Sequence, residues 1–409
     1  MKTRSQIFFE NLPVLFTFLM PFGLNLSILI ILWFITSLFV AKKDDMLSGL
    51  KNPWFLVMLG YFTLHVISAA LSDNKHESIR AIEVKLGFLA FPYFFFLFKI
   101  NTATIRRIVI AFVSGCFFAL IACLMRALWI YIVDGENHFY YNKFSYFMHA
   151  GYFSMYMLFA SVVLFLVYPV WFEKEKWLTI MRVFLMLSFV TGIFLCASKI
   201  GIIALLAVGI LLPIIKYKEV ITPGRFVVFL LALCALVGIL YVALPTPFER
   251  LSNAFKTASS ANVDKTSVES TAVRMLIWGE SMEIIKNNFW WGVGVGDAND
   301  VLQAAYKEHG LTGALEHNLN THNQYFQTFI GLGVVGTLLL VIGTLGGMIY
   351  GFAKRNTVLV LFSVIIMLNF LVESMLQTQA GNLFYGFFVC LLLRYELMIL
   401  PENETKHQH

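Results

Sequence analysis

Apolar residues fill most of the chain in long blocks, and polar residues are largely confined to the gaps between them. An α-helix rises about 1.5 Å per residue, so about 20 apolar residues cover a hydrocarbon core of about 30 Å. On that measure the pattern predicts about twelve spanning helices, at 7-22, 25-41, 53-71, 82-98, 107-133, 150-171, 178-196, 200-215, 226-244, 323-350, 356-373 and 380-399. The first pair, split near Pro21, Phe22 and Gly23, also reads as one broken element. A single hydrophilic and mixed stretch, Pro245 to Thr321, interrupts the blocks. The expected organisation is therefore N-terminal helices over 1-244, a large loop over 245-321, C-terminal helices over 322-400 and a short tail over 401-409. The fold class is an all-α polytopic membrane protein.

Within the loop, Met275, Trp278, Met282, Ile285 and Phe289 recur at helical spacing, and Trp290 and Trp291 follow. That spacing predicts an amphipathic helix whose apolar stripe lies along the membrane interface. Asp297 to Asp300 opens a second loop helix. Gly292, Gly294 and Gly296 lie between the two; they lack the preceding strand and the following GK[ST] of a nucleotide loop, so a sharp backbone turn is the better reading.

Composition agrees with a membrane class. Hydrophobic residues make up 59% of the 409, charged residues 13%, and mean hydropathy is +0.77. A soluble multidomain protein with that balance would aggregate. Cytoplasmic loops retain Lys and Arg, and the clusters at Lys2/Arg4, Lys42/Lys43/Lys51, Arg106/Arg107 and Lys354/Arg355 fall on one side of the expected helices. Both termini are then cytoplasmic, and 245-321 faces outward. The N-terminal apolar run, broken by Glu10, Asn11 and Pro13, reads as a retained helix and not a signal peptide. The net charge of +6 reflects this topology and gives no reason to expect nucleic-acid binding. Cys116, Cys123, Cys196, Cys234 and Cys390 all lie in apolar segments without a CxxC pair, which suits packing and not redox or metal chemistry.

Candidate chemistry gathers at the outer helix ends. Thr321 and Gln324 have capping-box spacing, which puts His322 at the first helical position. There the free amides attract anions and disfavour imidazolium, so His322 is expected to be neutral and to suit a general base. The alternative is a capping segment whose ring rests among lipid headgroups. Lys199 follows Ser198 at a second helix start, as an anion-binding cation or as a loop lysine marking a membrane boundary. Arg274, in the first turn of the amphipathic helix, either grips a phosphate bidentately or snorkels. His149 begins another helix, where it either touches a sugar or phosphate or anchors the interface. Arg250, Glu373 and Arg126 are further outer-side charges; intramembrane charges are usually paired or functional, and whether Arg126 pairs with Glu373 is open. His309, Glu316, His317 and His322 lack the spacing of a metal motif, and no metal is expected.

The outward loop, Arg274 before a Trp-containing stretch, the Gly292 to Gly296 turn, and His322-Asn323-Gln324-Tyr325 leading into a Gly-rich helix together resemble the O-antigen ligase and polymerase superfamily. The resemblance implies a membrane glycosyltransferase of the GT-C type that needs no cofactor. Such an enzyme moves glycan from undecaprenyl diphosphate to an acceptor hydroxyl at the periplasmic face of the bacterial inner membrane. By resemblance His322 matches the base and Arg274 a diphosphate-binding arginine. Lys199 stands where the family usually has Arg, keeping the charge and losing the planar fork. Asn323, Tyr325, His149, Arg250 and Glu373 are further candidate substrate contacts. Implied partners are the lipid-linked donor, lipid A-core or a growing glycan as acceptor, and membrane lipid. A repeat-unit polymerase and a protein O-oligosaccharyltransferase share this donor chemistry. A secondary transporter or lipid flippase is the competing class, favoured if polar groups lie at the bilayer midplane rather than at one face.

Overall fold

The computed structural model describes residues 3–171, 176–217, 245–258 and 264–398, with isolated positions between 224 and 242. The apolar blocks among these residues are helical, and no strand occurs among them. In chain order the helices are α1 (Arg4–Leu19), α2 (Ser27–Leu38), α3 (Lys43–Leu50), α4 (Pro53–Leu71), α5 (Lys75–Lys85), α6 (Gly87–Leu97), α7 (Thr102–Asp134), α8 (Tyr141–Phe144), α9 (Ala150–Leu166), α10 (Tyr168–Trp171), α11 (Lys176–Cys196) and α12 (Lys199–Tyr217). There follow α13 (Pro245–Ala258), α14 (Ser270–Asn287), α15 (Ala298–His309), α16 (Thr312–Glu316), α17 (Gln324–Val341), α18 (Gly347–Ala353), α19 (Thr357–Phe370) and α20 (Gln379–Arg394). More than half of the expected span at 226-244 lies outside the described residues.

Among the described residues, five segments are long and apolar enough to cross a membrane: Pro53–Leu71, Thr102–Asp134, Lys176–Cys196, Lys199–Lys216 and Gln324–Ala353. Large aliphatic and aromatic side chains cover the outside, among them Ile132 at 70% and Leu71 at 80% exposure. Phenylalanines fill the inside, with Phe91, Phe112, Phe159, Phe384 and Phe387 fully buried. A surface as apolar as its core is stable only in lipid. The chain is a membrane protein.

Two of the interruptions in the expected spans have identifiable reasons. The block at 82-98 is two helices: Asn74 caps Glu77 N–H and starts α5 early, and the backbone turns at Leu86. The block at 323-350 breaks at Gly333, whose φ is +61°. Segment 289–293 crosses it there, with Val293 N–H donating to Ile330 O at 2.7 Å and Val334 N–H to Phe289 O at 3.0 Å. A Cβ on Gly333 would strike the Trp290 carbonyl, and one on Gly292 the Ile330 carbonyl, so both positions need glycine.

The stripe of α14 is rotated from its expected position. Val273, Ile277 and Ile284, with Ile285, face inward onto Leu302 and Tyr306 of α15 and Ile330 of α17. Met275, Met282 and Phe289 are exposed, as are Trp290 and Trp291. β-branched residues fill the small inner core, where stiff side chains pack with little further entropy loss, and the flexible methionines are left outside. The loop helices therefore pack as a body against α17.

Candidate functional site

The cap of α17 lies two residues beyond its expected place. Asn323 is the N-cap, its Oδ1 accepting from the Tyr325 and Phe326 amides at 2.9 and 3.1 Å. Thr321 is drawn elsewhere: its hydroxyl lies 2.8 Å from Asn323 O, 3.0 Å from Gln327 Oε1 and 3.0 Å from Ser374 Oγ. Gln324 points into the core, donating to Thr328 Oγ1 and accepting from the Leu376 amide. His322 thus precedes the helix, in a left-handed backbone with φ +44°, instead of occupying its first position. That conformation is uncommon for a residue with a Cβ, and bonds on both sides hold it in place.

The imidazole meets a carboxylate and not the amide end of a helix. His322 Nδ1 lies 3.3 Å from Glu373 Oε2, and the other oxygen, Oε1, accepts from Arg274 Nη2 at 2.7 Å. Arg274 also donates from Nε to Val372 O at 3.0 Å and from Nη1 to Ser270 O at 2.9 Å. Burial works to raise the pKa of Glu373, but the hydrogen bond from His322 and the Arg274 charge outweigh it and hold the carboxyl below its ordinary value. Arg126 is not the partner of Glu373: it donates to Lys143 O and lies over the Tyr146 ring.

Lys199 is engaged inside the protein. Its ammonium donates to Glu269 Oε1 at 2.6 Å, Ser270 Oγ at 2.9 Å and Thr271 Oγ1 at 2.9 Å, which accounts for all three protons. Glu269 caps α14, accepting from the Thr271 and Ala272 amides. Partial burial pushes its pKa up, but Lys199 and the two amides more than reverse this and bring it to about 2. A depressed carboxyl stabilises the fold fully above its unfolded value of about 4.3 and loses that contribution as pH falls through the folded value. Glu269→Gln should therefore lower the thermal midpoint by a constant amount above about pH 5, with the gap closing toward pH 2. A gap that does not change with pH would mean that the charge of Glu269 plays no part.

A cleft of about 290 Å³ opens beside these groups, lined by Tyr141, His149, Lys199, Arg250, Arg274 and Glu373, with Leu251, Phe255, Met275 and Trp278 as apolar wall. Arg250 lies over the Tyr141 ring, 3.4 Å from its centroid. His149 caps α9, its Nδ1 accepting from the Gly151 amide at 3.2 Å, which puts the proton of the neutral ring on Nε2. Burial among helix ends lowers the pKa of His149; Glu373 opposes this, and the charges of Arg274, His322 and Arg250 reinforce it.

Lys199, Arg274 and His322, far apart in sequence, are thus joined through Ser270 and Glu373. Asn323 and Tyr325 stand apart from the cleft. Asn323 is 6% exposed and uses its amide on the cap and on Leu371 O at 3.1 Å. Tyr325 packs on Phe370. His309 is paired with Glu280, and His317 with the Gly313 carbonyl. Ser374 and Glu269 were not singled out in the sequence, and Thr321 and Trp278, whose Nε1 donates to Thr321 O at 2.9 Å, were read there only as a helix cap and as part of an apolar stripe. Of the two missed residues, Glu269 carried a local signal, as an acceptor immediately before a helix.

Residues 183–341, which include Lys199, Arg250, Arg274 and His322, match the family model described as O-antigen ligase. Over that segment, less than half of the chain, the protein is similar to the O-antigen ligase and polymerase superfamily, in line with the resemblance read from the sequence. No curated protein matches the sequence. Glu373 and His149 lie outside the matched segment, so the carboxylate that joins Arg274 to His322 comes from a part of the chain that the family model does not reach.

Proposed function

We propose that the protein is a glycosyltransferase of the bacterial inner membrane that moves a glycan from undecaprenyl diphosphate to an acceptor hydroxyl, with lipid A-core as the acceptor. Both termini are cytoplasmic in this reading, about twelve helices span the membrane, and the cleft opens at the periplasmic face. The observation that carries it is the Arg274–Glu373–His322 chain of contacts beside a cleft with three cationic side chains.

An ionised carboxylate only accepts hydrogen bonds, so Glu373 places the imidazole proton on Nδ1 and leaves the Nε2 lone pair of His322 open. Nε2 takes the proton of the acceptor hydroxyl as that oxygen bonds to the anomeric carbon. The bond from that carbon to the diphosphate oxygen breaks, and undecaprenyl diphosphate leaves. Direct displacement inverts the anomeric centre. Arg250, Arg274 and Lys199 supply a fixed positive field where charge develops on the leaving diphosphate, commonly the largest catalytic contribution. Two of the three are already in ion pairs, which holds them in place before the donor arrives.

Purified protein given an undecaprenyl diphosphate-linked oligosaccharide should transfer it to lipid A-core. Transfer only to a growing glycan or to a protein hydroxyl would move the assignment to a repeat-unit polymerase or an O-oligosaccharyltransferase. Failure with all three, together with ion-dependent flux in proteoliposomes, would make it a transporter.

A further inference from the structure

Lys85 closes α5 with no exposed surface. Burying an ammonium costs on the order of several kcal/mol unless its protons find acceptors. The described partners of this one are two neutral oxygens, Leu376 O at 2.6 Å and Gln377 Oε1 at 3.4 Å. The amide of the same Leu376 donates to Gln324 Oε1 at 2.7 Å. One residue is therefore gripped at both of its backbone polar groups by side chains from two different helices. Gln324 is steadied in turn by Thr328 Oγ1 at 3.0 Å, which lies 3.2 Å from the Tyr61 hydroxyl.

The location of this grip gives it consequence. Leu376 follows Glu373 closely on one segment, and Gln324 follows His322 closely on the other. The same two segments are tied by Thr321 to Ser374 at 3.0 Å and by Asn323 Nδ2 to Leu371 O at 3.1 Å. Those ties lie before or at Glu373's immediate neighbours; Lys85 and Gln324 hold the turn that follows it.

We propose that Lys85 is a positioning residue for the transfer reaction, pinning the turn at 374–378 so that the Glu373 carboxylate stays between Arg274 and His322. This rests on His322 and Glu373 acting as the catalytic pair. Lys85 is fully enclosed and acts only through that turn. An ammonium has several donors on a long stem and holds two oxygens at once, which a shorter neutral side chain on α5 does not.

Lys85→Met keeps the stem and removes the donors. With undecaprenyl diphosphate-linked oligosaccharide and lipid A-core, kcat should fall about tenfold to a hundredfold, as for a misplacement on the order of 1 Å, and the donor KM should change less than about twofold. The deciding measurement is coupling: in a Glu373→Gln background, Lys85→Met should cost less than about twofold more, because the geometry it serves is already lost. Losses that multiply, or a normal rate in Lys85→Met, overturn the proposal. A normal rate in Glu373→Gln alone would instead remove the catalytic pair on which it rests. If Lys85→Met does not accumulate folded, Lys85→Gln takes its place in the same cycle. Failure of both variants to fold assigns Lys85 to the fold alone and also overturns the proposal.

Discussion

Replacing His322 with Ala should lower the rate of glycan transfer by about 10²- to 10⁴-fold while folded yield is retained, the loss expected when a positioned general base is removed. That range corresponds to about 2.7 to 5.5 kcal/mol of transition-state stabilisation. The backbone at this position supplies the control. His322 sits at φ +44°, where Ala is strained and Gly is not. His322→Gly should therefore lose as much activity as His322→Ala while keeping the backbone at ease. If the Gly variant transfers glycan at a near-normal rate, the residue serves the turn and not the proton transfer. Donor binding should be little changed in either variant, because the described contact of the ring is with Glu373 and not with the cations of the cleft.

Glu373→Gln should be nearly as damaging, by a different route. The amide has almost the same shape but offers one acceptor and one donor in place of two acceptors. Arg274 donates from Nη2 and needs the acceptor, so the amide oxygen stays with Arg274 and the NH₂ turns toward His322. Nδ1 must then accept, the proton moves to Nε2, and the atom assigned as base is blocked. The corresponding change in a carboxylate–histidine–serine triad costs about 10⁴ in kcat through the wrong tautomer, and a loss of about 10³ or more is expected here. Arg274 also loses its ionic partner, so the thermal midpoint should fall as well; breaking a buried pair costs about 3–5 kcal/mol, and this pair, at 17% and 12% exposure, lies toward the lower end. The two effects separate in measurement. Glu373→Ala, which leaves Nδ1 free to find another acceptor, should lose less activity than Glu373→Gln despite a similar stability loss. Equal activity in Glu373→Gln and the unaltered protein would show that the carboxylate does not set the tautomer.

The Glu373 carboxylate also sets a pH dependence. Its pKa lies below the ordinary carboxylate range, so its share of stability is fully present above the unfolded value of about 4.3. That share is lost only as pH falls through the lower folded value. The Arg274–Glu373 link therefore persists across the neutral and mildly acidic range.

Local pattern carried a large part of this molecule. Apolar blocks marked the helices because burial in lipid is read off length and composition alone, and Ser198 before Lys199 marked a helix start because a cap bonds only to its own first turn. Arg274 and His322 were legible because they stand at helix starts, where spacing has a local meaning. The capping box at Thr321 misled for the converse reason. Its hydroxyl accepts from the amide of Asn323 at 3.3 Å, and is otherwise held by Gln327 in the second turn of α17 and by Ser374 from a distant segment.

The sequence by itself determined the membrane class, most helix positions, the superfamily resemblance and a set of candidate cations and histidines. The tertiary structure alone decided how those groups are paired. Glu373 stands 51 residues from His322 and 99 from Arg274, Glu269 stands 70 from Lys199, and Lys85 stands 291 from Leu376. Helical periodicity relates residues three or four apart, whereas an ion pair depends on which helix ends the packed bundle brings within a few ångströms of each other, and no local pattern encodes that separation.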